Sequence, residues 1–357
     1  MTAMDPNQES SKPVSEQITL SVADQSPLRR GGTAAEALRE TVQLAQISEE
    51  AGYSRYWVAE HHNTPAFAGT SPEILIGQIA ANTSRIRVGS GGVMLSHYSS
   101  LKVAEQFSIL NSFYPGRIDL GIGRAPGGDR LTSQALADPR PLVDVEGFPG
   151  QILDLLVYLR GVRYDGNPFE RIKAFPGPLP DSAPEIWLLG SSDYSARLAA
   201  MLGLPFAFAE FFGMTGATGP TVAKLYYDNF KPSNFLSEPR LNVTLQVVCA
   251  PTTEEALFVA SSRQLTRADR YLQLGIGAGL MPPEEASVYP LTDQQREYVA
   301  GFSNRSIDGD PEVVRQGILK AAEDFGTTDI GIVTNCYSFE HRARSFQMVA
   351  QAMGIAP

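Results

Sequence analysis

Trp57-Val-Ala-Glu-His-His-Asn63 is an apolar strand pattern that ends in a carboxylate and two imidazoles. The chain has four histidines, and two of them, His61 and His62, are adjacent at this strand end. In an α/β barrel, residues at the C-terminal ends of the strands face the active-site mouth. Glu60, His61 and His62 are therefore the first candidates for chemistry.

The same rhythm runs outward from this stretch in both directions. Apolar runs at Ile18 to Ala23, Tyr56 to Ala59, Ile86 to Gly89 and Ile118 to Ile122 read as strands. So do Glu185 to Leu189, Pro205 to Ala209, Leu241 to Cys249 and Asp329 to Val333. Between them lie segments with helical spacing, such as Ala34 to Ala51 with Ala37, Leu38, Val42, Ala45 and Ile47 on one face. Strands alternating with helices imply parallel pairing through crossovers. Eight such units make a (β/α)8 TIM barrel, usually of about 250 residues before insertions. The excess length falls mainly in Ala125 to Pro149 and Arg267 to Asp310. Both follow barrel strands, so both are expected as loops over the C-terminal mouth. No linker interrupts residues 17–357, which read as a single domain behind a polar, flexible N-terminal tail at 1–16.

Composition narrows the function classes. Of 357 residues, 43% are hydrophobic and 19% charged, enough for a full core. A net charge of −10 without a Lys/Arg cluster argues against nucleic-acid binding. Two isolated cysteines, Cys249 and Cys336, make neither a disulfide framework nor a zinc site. His97 and His341 show no ligand spacing with His61 and His62, so no metal is expected. No apolar stretch approaches the roughly 20 residues that cross a bilayer. The N-terminus lacks an apolar signal core, which points to the cytoplasm.

Further strand ends carry candidate residues. Ser90-Gly91-Gly92 follows the third strand, where two glycines let backbone approach an aromatic ring or simply form a turn. Arg124 ends the fourth, where it can grip a phosphate or pair with Asp119 or Asp129. Gly190-Ser191-Ser192 precedes a helix starting near Asp193, and free amides with hydroxyls there suit a phosphate. N-capping by Ser192 is the structural alternative. Asp24-Gln25 ends the first strand and can serve the substrate side of the mouth or a structural hydrogen bond. Phe206, Phe208, Phe211 and Phe212 around the sixth strand read mostly as core.

Taken together, several runs resemble bacterial luciferase and its flavin-dependent monooxygenase relatives. They are Ile47-Ser-Glu-Glu-Ala-Gly-Tyr53, Trp57 to His62, Val88-Gly-Ser-Gly-Gly-Val93, Ala104-Glu-Gln-Phe107 and Pro115-Gly-Arg-Ile-Asp-Leu-Gly-Ile-Gly-Arg124. Weaker similarity continues through Gly190-Ser-Ser-Asp-Tyr-Ser195 and Gly203-Leu-Pro205, while Arg267 to Asp310 adds nothing. Ala125-Pro-Gly127 is similar to a subgroup whose substrates are mostly unassigned.

The resemblance implies reduced FMN as cofactor, supplied by a separate flavin reductase, and O2 as co-substrate. It places His61 beside the flavin ring in proton transfer. Glu60 then either orients His61 or binds backbone amides in the mouth. A non-proline cis peptide is implied at Gly91 and Gly92 beneath the flavin, and phosphate contacts at Arg124, Ser191, Ser192 and Ser195. Ser191 stands where the luciferase pattern has a glutamate. Gly123 stands where luciferase has its reactive cysteine, which argues against a true luciferase. A long-chain aldehyde, an alkane-like compound or a thioether is the substrate expected. Two rivals are an F420-dependent hydride-transfer enzyme of the same superfamily and a barrel that only binds flavin. A homodimer is expected through the helices after the second and third strands, and the resemblance places the latter, Ser100 to Phe113, at a subunit interface.

Overall fold

Eight parallel strands close on themselves. They are β1 (Thr19–Asp24), β2 (Arg55–Val58), β3 (Arg87–Met94), β4 (Ile118–Gly123), β5 (Glu185–Gly190), β6 (Phe206–Ala209), β7 (Leu241–Cys249) and β9 (Asp329–Val333). Each pairs with the next around the ring, and the β6–β7 and β9–β1 pairings complete it. A short ninth strand, β8 (Ile307–Gly309), extends the C-terminal end of β7 from outside the barrel. The chain is described from a computed structural model, which covers residues 18–356 apart from 126, 142, 145, 178–182, 213–217 and 304. The tail expected at 1–16 lies outside the described residues.

The helices are α1 (Ala34–Glu50), α2 (Pro72–Ala81), α3 (Ser100–Phe113), α4 (Arg130–Ala137), α5 (Phe148–Arg160) and α6 (Asp193–Leu202). They continue with α7 (Gly219–Asn229), α8 (Thr253–Leu272), α9 (Pro283–Ala286), α10 (Asp293–Ser303), α11 (Pro311–Phe325) and α12 (Phe339–Met353). Their termini follow from the sequence. Thr33 and Glu36 form a capping box that starts α1, and Asp310 caps α11 directly before its Pro311. Among the described residues no helix is long and apolar enough to cross a membrane.

Side-chain alternation divides the strands into two faces. Leu20, Val22, Tyr56, Val58, Val88, Leu120, Leu188 and Phe206 point outward into the main core beneath the helices. Trp57, Trp187 and Ala207 point inward, with Leu189 packed against them. Below this inward layer, at the N-terminal end, lies a ring of charges. Arg55 donates to both oxygens of Asp329 at 2.8 Å, and Asn242 donates to the same carboxylate at 2.7 Å. Asp119 accepts from Trp57 Nε1 at 2.9 Å and from Arg87. Burial pushes the Asp119 carboxyl above its ordinary range, although Arg87 and Arg55 pull it the other way. This plug closes the bottom of the barrel and leaves the C-terminal end to function.

Above the tryptophans the inward positions become small. Continuing the alternation upward brings in Ala23, Ala59, Gly91, Gly123 and Ala209, with Leu189, Gln246 and Val333. The floor of the C-terminal end is therefore lined mostly by small residues.

The seventh crossover departs from simple β/α alternation. Here α8 runs from Thr253 to Leu272, and α9, α10, β8 and α11 follow before β9. Leu280 forms a parallel bridge with Arg29 in the loop after β1, and Arg30 donates to the Ile276 carbonyl at 2.8 Å. The insertion at 267–310 thus docks onto the β1 loop at the mouth. Its Ile276, Met281 and Ala286 form a small core with Leu265 of α8.

Candidate active site

His61 is held by its backbone from three directions. As the chain leaves β2, the Ala59 amide donates to the Asp24 carbonyl at 2.8 Å, His61 N to Gly69 O at 2.9 Å, and His62 N to Gly127 O at 2.9 Å. The loop after β4 therefore reaches the histidines, as expected for an insertion over the mouth. The His61 ring stacks on Phe67 at 4.4 Å between centroids and 32° between planes. An antiparallel bridge from Pro27 fixes Phe67 in turn. His61 Nδ1 is buried with no hydrogen-bond partner among the described residues. Burial of the ring lowers its pKa from 6.5 to about 4; Glu60 opposes the shift, and His62 and Arg270 add to it. At pH 7 the imidazole is neutral, able to accept a proton or hydrogen bond but not already carrying charge.

Glu60 takes the second of its two expected roles. Its carboxylate accepts from the Met94 amide at 2.9 Å and the Tyr98 hydroxyl at 2.7 Å, and lies 2.7 Å from His62 Nε2. No hydrogen bond joins it to His61 among the described residues. The residue is 1% exposed, and a buried carboxylate of this kind requires its donors. Burial and the neighbouring Glu60 raise the Tyr98 phenol well above its ordinary range, so it remains a donor. This cluster ties β2 to the end of β3. Sequence reasoning missed Tyr98 because only the folded chain brings it within reach of Glu60.

The Gly91-Gly92 peptide is cis and lies in a bulge where the β3–β4 register shifts between Ser90 and Val93. A Cβ on Gly91 would lie 3.1 Å from Trp57 Cβ, and one on Gly92 2.9 Å from the Gly121 carbonyl oxygen. A Cβ on Gly92 would collide with backbone and one on Gly91 would press on Trp57, so the two glycines present bare backbone here.

Arg124 and the start of α6 meet at one corner of the mouth. The Arg124 guanidinium lies 4.6 Å over the Tyr194 ring. Its sequence alternatives are engaged elsewhere: Asp119 within the barrel, and Asp129 as the cap of α4, accepting from Thr132 N at 2.7 Å. Ser192 is the N-cap of α6 in extended backbone, but its side chain makes no capping hydrogen bond. Ser191 and Ser192 are partly exposed and Ser195 is buried. Gly190 allows this approach, since a Cβ there would lie 2.2 Å from Ser195 Cβ. The exposed Asp193 carboxylate takes the Tyr194 amide at 2.8 Å. The corner thus combines a cation, two hydroxyls and a helix N-terminus, a combination that suits a phosphate.

Asp24 proves structural, bound to Arg342, to the Tyr56 hydroxyl at 2.5 Å and to the Ser26 amide at 2.7 Å. Phe206 and Phe208 are buried in the outer core, while Phe211 and Phe212 follow β6 with their carbonyls held by Arg267. Among the described residues no three His, Cys, Asp or Glu side chains are grouped to hold a metal ion.

Residues 18–328 match the profile of the luciferase-like monooxygenase family. The uncharacterized protein YwcH of Bacillus subtilis (strain 168) is 42% identical over 94% of this chain and 99% of its own. The N-acetyl-S-alkylcysteine monooxygenase of the same organism is 36% identical over 94% of this chain and 98% of its own. Among solved structures, apo-MsnO8 superposes with a TM-score of 0.86 at 36% identity, covering 95% of this chain and 99% of that one. The fold alone is shared with an FMN complex of the oxygenating constituent of 3,6-diketocamphane monooxygenase from Pseudomonas putida, at 17% identity and TM-score 0.68 over 94% of this chain and 97% of that one. It is shared likewise with an F420-dependent secondary alcohol dehydrogenase, at 13% identity and TM-score 0.65 over 94% and 99%.

Proposed function

Because the chain belongs to the luciferase-like monooxygenase family, we propose that it uses reduced FMN and O2 to oxygenate a small organic substrate. The observation that carries this reading is the convergence, at one end of the barrel, of a neutral histidine, a bare glycine floor and a phosphate-suited corner. The fit to FMN rests on the same features. Gly91 and Gly92 present backbone without side chains, packed on Trp57 and Gly121, and His61 Nδ1 is a buried atom with no partner among the described residues.

In this reading Arg124, Ser191, Ser192 and the Ser195 region of α6 hold the phosphate, and Gly91 and Gly92 lie under the ring. Bound reduced FMN supplies the two electrons that split O2, one oxygen atom going to substrate and the other to water. His61, uncharged at pH 7, exchanges a proton at its imidazole nitrogen during that transfer. Glu60, His62 and Tyr98 hold the segment that carries His61. The loops at 125–149 and 267–310 flank the mouth and limit water. A separate flavin reductase supplies the reduced flavin, and the cytoplasm is the proposed compartment.

A thioether is the favoured substrate class, because a relative at 36% identity is named for S-alkylcysteine oxygenation. Two copies of the chain pair through α2 and α3, which expose Ile74, Ile109 and Phe113 at 66%, 45% and 73%. The test is to supply reduced FMN with thioethers, aldehydes and alkanes and follow O2 consumption and product. Consumption coupled to one substrate class is expected. Tight F420 binding without O2 consumption would replace the reading with hydride transfer, and FMN binding without turnover would replace it with storage.

A further inference from the structure

One polar pair at the mouth plays no part in the flavin corner. Gln25 follows β1 and Asn335 follows β9, neighbouring strands whose register pairs Val22 with Ile332. Continuing that register sets Gln25 and Asn335 opposite each other above the floor. Alternation points both inward. Ser21 bonds Asn242 inside the barrel, and a Cβ on Gly331 would meet Thr244 there. Cys336, one residue on, packs outward with Val248 and Ala256. Asn335 Nδ2 donates to Gln25 Oε1 at 2.6 Å, and the two residues are 7% and 9% exposed. In this sense of the bond the Asn335 carboxamide turns its oxygen away from Gln25. Its other end, Oδ1, is buried and has no hydrogen-bond partner among the described residues.

A buried acceptor without a donor is costly, and a ligand that supplies the donor gains that cost back as affinity. The chemistry of the missing donor is constrained. Asp24 is ion-paired with Arg342, so no net negative charge draws a cation to this side. A lone carbonyl oxygen repels a carboxylate or phosphate. The phosphate-suited corner is also on β4–β5 and α6, across the ring from β1 and β9. His61, by contrast, is on the next strand end, because β1 pairs with β2. What fits is a neutral donor on a molecule that also reaches His61, and the amide N–H of an N-acetyl-S-alkylcysteine, the compound for which a relative at 36% identity is named, is such a donor.

We propose that Asn335, held by Gln25, is a specificity-determining residue that accepts a hydrogen bond from a secondary amide N–H of the substrate. The oxygenated substrate is then an N-acylated compound rather than a bare aldehyde or alkane. This deepens, and rests on, the monooxygenase reading.

The test is calorimetric titration of the full chain with two probes. One is N-acetyl-S-methylcysteine; the other is its ester counterpart, O-acetyl-3-(methylthio)lactate, in which oxygen replaces the N–H. Wild type is expected to bind the amide at least about tenfold more tightly, since a site built for a donor rejects the analogue lacking it. Asn335→Leu is expected to lose the preference and to leave reduced-FMN affinity within about threefold. Asn335→Asp keeps an acceptor oxygen and is expected to keep the preference, which separates recognition from misfolding. Equal binding of both probes by wild type would overturn the proposal. So would a preference that survives Asn335→Leu, or a parallel fall in FMN affinity, which would assign the pair to flavin. O2 consumption without amide preference would sink this inference alone; amide preference without O2 consumption would sink the monooxygenase reading alone.

Discussion

His61 combines two properties that rarely coexist on an exposed histidine: a ring clamped against Phe67 and a pKa lowered to about 4. The depressed value has a sign. Between about pH 4 and 6.5 the unfolded chain binds a proton that the folded chain refuses. The contribution of neutral His61 to stability is therefore complete above pH 6.5 and is lost as pH falls toward 4. Denaturant midpoints measured from pH 7 to 4 should fall less steeply in His61→Phe than in wild type; identical slopes would refute the assigned burial. In the proposed reaction, His61→Ala should lower turnover with FMN affinity within about threefold, whereas Arg124→Ala should weaken FMN about tenfold or more. Flavin titration and steady-state rates on the two variants check both. If His61→Ala turns over as wild type does, its role in proton transfer is wrong. His61 and Arg124 stood out as candidates because each closes an apolar run at a strand end, where side chains face the mouth, and because the resemblance assigns both a role. Tyr98 and Asn335 were not, because their partners lie 38 and 310 residues away in sequence.

At the scale of elements, close approach between backbone segments determines the site. The start of α6 can lie against β5 only because residue 190 has no side chain. Gly190→Ala would set a Cβ 2.2 Å from that of Ser195, so the first turn of α6 must move. Overpacking of this kind costs about 1–3 kcal/mol. Thermal melts should show that loss, and flavin affinity should fall with it; unchanged affinity would detach α6 from the phosphate role. The barrel strands were read to within a residue or two at most ends, since their apolar runs are unbroken. The clear exception was β3, which runs on to Met94 through glycines that weaken any strand signal. α11 was missed despite good signals: Asp310-Pro311 at its start, Val314, Ile318 and Ala322 on its buried face, and Gly326 at its end. The preceding Pro/Gly-rich insertion masked the restart of the β/α rhythm. Ser192, for which capping was the structural alternative, takes the N-cap position of α6 but makes no side-chain cap hydrogen bond.

For the whole molecule, the barrel is polarised along its axis. Ion pairs plug the N-terminal end, tryptophans fill the middle, and small residues floor the mouth. Stability and function are thus assigned to opposite ends. The same view locates the apolar surface left over on α2 and α3. Sedimentation at micromolar concentration should give twice the 38.6 kDa chain mass, and Phe113→Glu should return it to one; a wild-type monomer would reject the pairing. The barrel's closure was legible from the count of strands. The substrate was not, because its recognition depends on side chains from strands at opposite ends of the chain. The decisive measurement follows the fate of oxygen. The protein is mixed with reduced FMN, a thioether and oxygen-18 gas, and the product is weighed by mass spectrometry. One labelled oxygen atom in the product, with O2 consumed in equal amount, is expected. Unlabelled product, or turnover that needs F420 and no O2, would contradict assignment of this barrel mouth to FMN-dependent oxygenation.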